Sequence, residues 1–100
     1  MQVRIRSTQN SETATIEQML NFYQSRLDDR VSLMEINLSK RPLQTSQTEY
    51  NLALQANLVD GQQIEMKEYQ SDLMIATQRL FDRLDRRLQI WQQARSYSMR

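Results

Sequence analysis

Apolar residues recur at steps of three and four along the last third of the chain. Met66, Tyr69, Leu73, Thr77, Leu80, Leu84, Leu88 and Trp91 form one stripe on one face of a helix. A second series reads Ile16, Leu20, Tyr23, Leu27, Val31, Met34 and Leu38. Its spacing predicts a helix over about 11–41. Asn10 or Ser11 is placed to cap that helix, with Glu12 and Glu17 near its positive end. Lys40 and Arg41 fall in the last turn, and Pro42 stops it. Ser46-Gln47-Thr48-Glu49 reads as a capping box that opens a short helix over about 47–59. Tyr50, Leu54 and Leu58 lie on one side of it; Leu52, Ala56 and Val59 lie on another. A long helix then covers about 62–96, with Asp72, Arg79, Asp82 and Arg86 on its polar back. Asp60-Gly61 either separates the last two helices or is passed through at a cost of roughly 1 kcal/mol. The pattern therefore predicts an all-α chain. It is an elongated helical hairpin or three-helix bundle over 11–100, preceded by a flexible or extended arm over 1–10. In that arm Val3 and Ile5 alternate with Arg4 and Arg6, a pattern that also allows a short strand.

Six apolar residues fall outside the two stripes: Phe22, Leu33, Ile36, Ile64, Ile75 and Ile90. On a two-helix hairpin these would face water, and each contributes about 1.5–3 kcal/mol when fully buried. The expectation is a non-enzymatic interaction protein, a structural, adaptor or chaperone-like subunit held in a larger assembly by coiled-coil-like packing. The partner, a second copy or another protein, would meet Ile16, Leu20, Tyr23, Leu27, Val31, Met34, Leu38, Leu73, Leu80, Leu84, Leu88 and Trp91. The six outlying residues would supply a second interface. On this reading Leu84→Asp disrupts folding or association and Asp85→Ala does neither.

Composition supports long helices and removes most chemistry. One Gly and one Pro in 100 residues leave few breakers, and Gln occupies 14 positions. Without Cys or His there is no thiol chemistry, no disulfide and no imidazole base or metal ligand. The carboxylates Asp28-Asp29 and Glu65, Glu68, Asp72 lie among polar neighbours and read as solvated surface. No phosphate loop, nucleophile elbow or calcium loop can be built around the single Gly61. No catalytic residue, cofactor or metal is expected. No apolar run reaches the roughly 20 residues of a membrane span. Residues 1–7 lead into no apolar stretch of the signal-peptide kind, so a cytoplasmic location is the default. In length and plan the chain is similar to the small helical hairpins of secretion-system needles and of secreted helical pairs. However, residues 41–46 read Arg-Pro-Leu-Gln-Thr-Ser, which lack the Trp-x-Gly turn of the latter and, with the single Pro42, the turn of the needle type, so neither family is assigned.

Charge is unevenly spread along the chain. The net charge is +1, but residues 81–100 carry five basic and two acidic groups, against two and five over 43–80. Arg79, Arg83, Arg86, Arg87 and Arg95 form a ladder suited to phosphates. Asp82 and Asp85 interrupt it. The second reading is a small helical dimer that binds nucleic acid through Arg79 to Arg100.

Overall fold

The computed structural model describes residues 1–98, apart from the side chains of 95–98. The all-α expectation fails. The order is β1 (Gln2–Arg6), α1 (Asn10–Leu27), β2 (Val31–Pro42), β3 (Thr48–Leu58), β4 (Gln63–Gln70) and α2 (Leu73–Ser98). The strands form one four-stranded sheet in the order β1-β2-β3-β4. β1 runs parallel to β2, while β2–β3 and β3–β4 are antiparallel hairpins. α1 is the crossover that a parallel β1–β2 pair requires. Both helices descend against the upward strands β1, β2 and β4, so they run in the same direction. Residues 2–6, whose alternation left a short strand or an extended arm open, are an edge strand of this sheet.

In β2, Met34, Ile36 and Leu38 are buried and alternate with Glu35, Asn37 and Ser39. In β3, Leu52, Leu54, Ala56 and Leu58 do the same, and in β4 Ile64 and Met66. That is a period of two, with one face on the core. Ile36 and Ile64, outliers on a helix, are in phase on a strand. The step of three from Val31 to Met34 is a β-bulge: the pairing with β3 shifts register between Val31 and Leu33. The extra residue turns both Val31 and Met34 inward and so imitates a helical step. Ser32 Oγ donates to the Asn57 carbonyl at 3.0 Å beside it.

Turns need fewer breakers than composition suggests. The β2–β3 connection places Ser46 at φ 60°, and the β3–β4 connection places Gly61 at φ 92°. Ser46 is thus a turn residue, not a helix cap. Asp60 Oδ1 accepts from the Gln62 amide at 3.0 Å, which closes the second turn. α2 begins where Asp72 Oδ1 accepts from the Ile75 amide at 3.2 Å. Asp72 is therefore a cap and not part of a helix back. α1 starts without such a side-chain bond. Asn10 and Ser11 lie inside its first turn, Thr8 Oγ1 donates to Glu12, and Lys40 Nζ from β2 reaches Glu12 at 2.9 Å.

Both helices cover one face of the sheet, and the core lies between. Ile16, Leu20, Tyr23 and Leu27 of α1, Val31, Met34 and Leu38 of β2, and Leu73, Leu80, Leu84 and Leu88 of α2 are all buried there, with Trp91 packed at the margin. Residues expected to meet a partner thus cover one another within a single chain. Phe81 and Ala76, outside the predicted stripes, are fully buried too. The second set divides. Ile36 and Ile64 are core and Leu33 is half-buried, whereas Phe22 (75% exposed), Ile75 and Ile90 (65%) face outward. No described helix is long and apolar enough to cross a membrane.

Candidate nucleic-acid interface

α2 sorts its charges by direction. Asp82 and Asp85 turn toward α1. The Tyr23 hydroxyl donates to Asp82, and the Tyr23 ring packs on Phe81 at 5.5 Å between centroids. Asp85 is 8% exposed and is met by Arg26 at 3.5 Å, Arg30 at 3.3 Å and the Gln89 amide at 3.4 Å. Arg30 is braced in turn by the Arg26 carbonyl. Burial, helped by the hydrogen bond to Asp82 and its negative charge, pushes the Tyr23 phenol up to about 12. The acids that interrupt the arginine ladder in sequence are therefore held by α1.

The arginines remain outside. Arg83 leans over β4, where its guanidinium donates to the Lys67 carbonyl at 2.7 Å and to Glu68 at 2.9 Å. Arg79, Arg86 and Arg87 are exposed and have no ion-pair partner among the described residues. Helical phase puts Ile75, Arg79, Arg86 and Ile90 in one outward line, with Arg83 and Arg87 on the β4 side. Arg79 and Arg86 stand two turns apart, about 10 Å along the axis. Near Arg87, a cavity of about 420 Å³ opens between α2 and the β3–β4 turn, lined by Gln62, Ile90 and Trp91 among others. Trp91 Nε1 donates to Asp60 at 2.9 Å and ties the helix to that turn. The side chain of Arg95 lies outside the described residues, as does Arg100.

No protein-family model matches the chain, and neither does any curated protein. Solved structures do. A ribosomal subunit interface protein from Coxiella burnetii superposes with a TM-score of 0.72 at 16% identity, over 92% of this chain and 98% of that one. The N-terminal domain of Protein Y from Thermus thermophilus gives 0.64 at 18% identity, over 90% and 94%. The chain shares their fold. This likeness overturns the helical-bundle adaptor, and the helical dimer offered beside it has no support either: the basic helix belongs to a mixed α/β domain.

Of the residues singled out from the sequence, the structure brings Arg79, Arg83, Arg86 and Arg87 to one side of α2. It removes Ile16, Leu20, Tyr23, Leu27, Val31, Met34, Leu38, Leu73, Leu80, Leu84 and Leu88 into the core. The helical pattern did not show the role of Asp82 and Asp85. A usable signal was present, because both sit on the flank of α2 next to Phe81, the side that carries its contacts to α1.

Proposed function

We propose that this chain is a non-catalytic, ribosome-associated protein that sets the outer face of α2 against structured RNA where ribosomal subunits meet. The observation that carries this reading is the fold likeness over nine-tenths of both chains to a protein described as a ribosomal subunit interface protein. The charge arrangement supports it. Arg79, Arg86 and Arg87 are free to bind phosphates, with Arg83 alongside, and guanidinium groups bind phosphate oxygens two at a time. Ile75 and Ile90 bracket the arginines and add apolar contact at either end of the line. With a net charge of only +1, attraction comes from this face and not from the molecule as a whole, so binding is strongly salt-dependent.

Sedimentation of the chain with ribosomes and with separated subunits, at a series of salt concentrations, tests this. Co-sedimentation at low salt is expected. Replacing Arg79, Arg86 and Arg87 together by Ala is expected to weaken it and to reduce the salt slope by about one for each phosphate no longer neutralised. Far-UV circular dichroism should be unchanged, because these side chains are exposed and hold no ion pair among the described residues. Absence of co-sedimentation at low salt, or a triple variant with the parent's affinity and slope, would overturn the proposal.

A further inference from the structure

The sheet face turned away from the helices is open, and it has a built arrangement of its own. Cross-strand pairing aligns Arg6 of β1, Asn37 of β2, Ala53 of β3 and Lys67 of β4 in one row. The next row contains Ser39, Asn51 and Tyr69; the row on the other side contains Arg4, Glu35, Gln55 and Glu65. Ala53 is small where its neighbours are long, so the surface sinks around it. One cavity of about 400 Å³ lies over Ala53 between Asn37, Gln55, Glu65 and Lys67. Another of about 240 Å³ lies between Asn37, Asn51, Lys67 and Tyr69. Arg4 pairs with Glu35 at 3.5 Å and Arg41 with Glu49 at 3.2 Å. Those cross-strand pairs leave Arg6 and Lys67, at the two ends of the Ala53 row, without an ion-pair partner among the described residues. Three strand spacings separate them, about 14 Å.

We propose that this row holds a stretch of single-stranded nucleic acid laid across the sheet, with an unpaired base over Ala53. The chemistry of the row selects that occupant. Tyr69 is 55% exposed beside the depression and offers a ring for a base to stack on. Asn37, Asn51 and Gln55 surround the same spot, and side-chain amides both donate and accept, as base edges do. The side-chain carbonyl of Asn51 has no hydrogen-bond partner among the described residues. Turning that amide toward the depression gives it one from a base N–H. The carboxylate of Glu65 accepts from an exocyclic amino group and disfavours a phosphate at that point, while Arg6 and Lys67 receive phosphates at the two ends. A peptide or an apolar surface would find little here, since the face carries amides and charges with only Leu33 and Ala53 as aliphatic groups. The surface is opposite α2, and this inference stands independently of the ribosome reading.

Fluorescence anisotropy of the full chain with a labelled, unstructured RNA of about eight nucleotides tests it. Saturable binding is expected. Tyr69→Ala should weaken it roughly 5- to 100-fold, and Tyr69→Phe, which keeps the ring, should bind like the parent. Ala53→Ile fills the depression with a good strand former and should weaken binding comparably without changing the circular dichroism. Arg79→Ala with Arg86→Ala should leave the stacking contribution intact, so Tyr69→Ala costs the same factor in that background. Equal loss in Tyr69→Phe and Tyr69→Ala, or indifference to both Tyr69→Ala and Ala53→Ile, would overturn the proposal. So would displacement of the RNA by an equimolar free mononucleotide. A dimer in light scattering that Ala53→Ile abolishes would assign the face to a second copy instead.

Discussion

Asp85→Ala separates two views of α2, one in which its acids are solvent-facing and one in which they are structural. Asp85 is 8% exposed and accepts from Arg26, Arg30 and Gln89. The Arg26 side chain is 58% exposed, so that pair contributes at most a few tenths of a kcal/mol. Arg30 is different: its side chain is 15% exposed. Without Asp85 its guanidinium keeps only the Arg26 carbonyl, at 2.6 Å from Nε, and remains largely shielded from water. A hydrogen bond to a charged group contributes about 1.5–3 kcal/mol, and loss of one partner leaves the other poorly compensated. The expected cost is about 2 kcal/mol. For 100 residues this corresponds to a fall in melting temperature of about 8–16 °C. Asp85→Asn keeps an acceptor and the volume and should lose about half as much. Urea denaturation followed by circular dichroism reads both, with an unchanged dependence on denaturant. A change below about 0.5 kcal/mol in Asp85→Ala, the size of an ordinary surface substitution, would refute the reasoning and return Asp85 to the solvated role that the sequence pattern suggested.

Tyr23 links stability to high pH. Its phenol is raised from 10.0 to about 12 in the folded chain, so the folded state keeps the proton longer than the unfolded one. The stability this provides is complete below pH 10 and is lost as pH rises through about 12, by up to about 2 kcal/mol. Denaturation of the parent and of Tyr23→Phe across that window should show the extra decline only in the parent; parallel curves would rule out the linkage. Gly61 stands at φ 92° with open space around the position a Cβ would occupy, so Gly61→Ala should destabilise by about 1 kcal/mol through backbone strain alone. A stabilised Ala variant, in the same urea assay, would mean the turn readjusts.

The helical period was legible where helices exist. Ile16, Leu20, Tyr23 and Leu27 in α1 and Leu73 through Leu88 in α2 lie on the faces that their spacing indicates, and the outward arginines of α2 could be named one by one. The middle of the chain was misread for physical reasons. Val31 and Met34 are three apart because of a bulge, Leu, Met and Gln are good helix formers placed in strands, and a single Gly with Ser46 in the left-handed region is enough for two hairpin turns. A sign against a helix was also in plain view, since Leu52, Leu54, Ala56 and Leu58 fall at every second position, with only the small Ala53 breaking the polar alternation. The Arg6, Asn37, Ala53, Lys67 row was not legible at all, because it joins four segments through three registers.

The spacing of apolar residues was enough to place Ile16 through Leu27 and Leu73 through Leu88 on inward faces and to leave Arg79, Arg83, Arg86 and Arg87 outside, although it missed the buried Ala76 and Phe81. A helix bonds each residue to one four positions away, so its stripe is a local property. Whether residues 31–70 are helix or sheet, where Asp82 and Asp85 turn, and what lies beside Ala53 depend on how distant segments pack. Strand hydrogen bonds and cross-chain ion pairs depend on partners distant in sequence, and no local period names them.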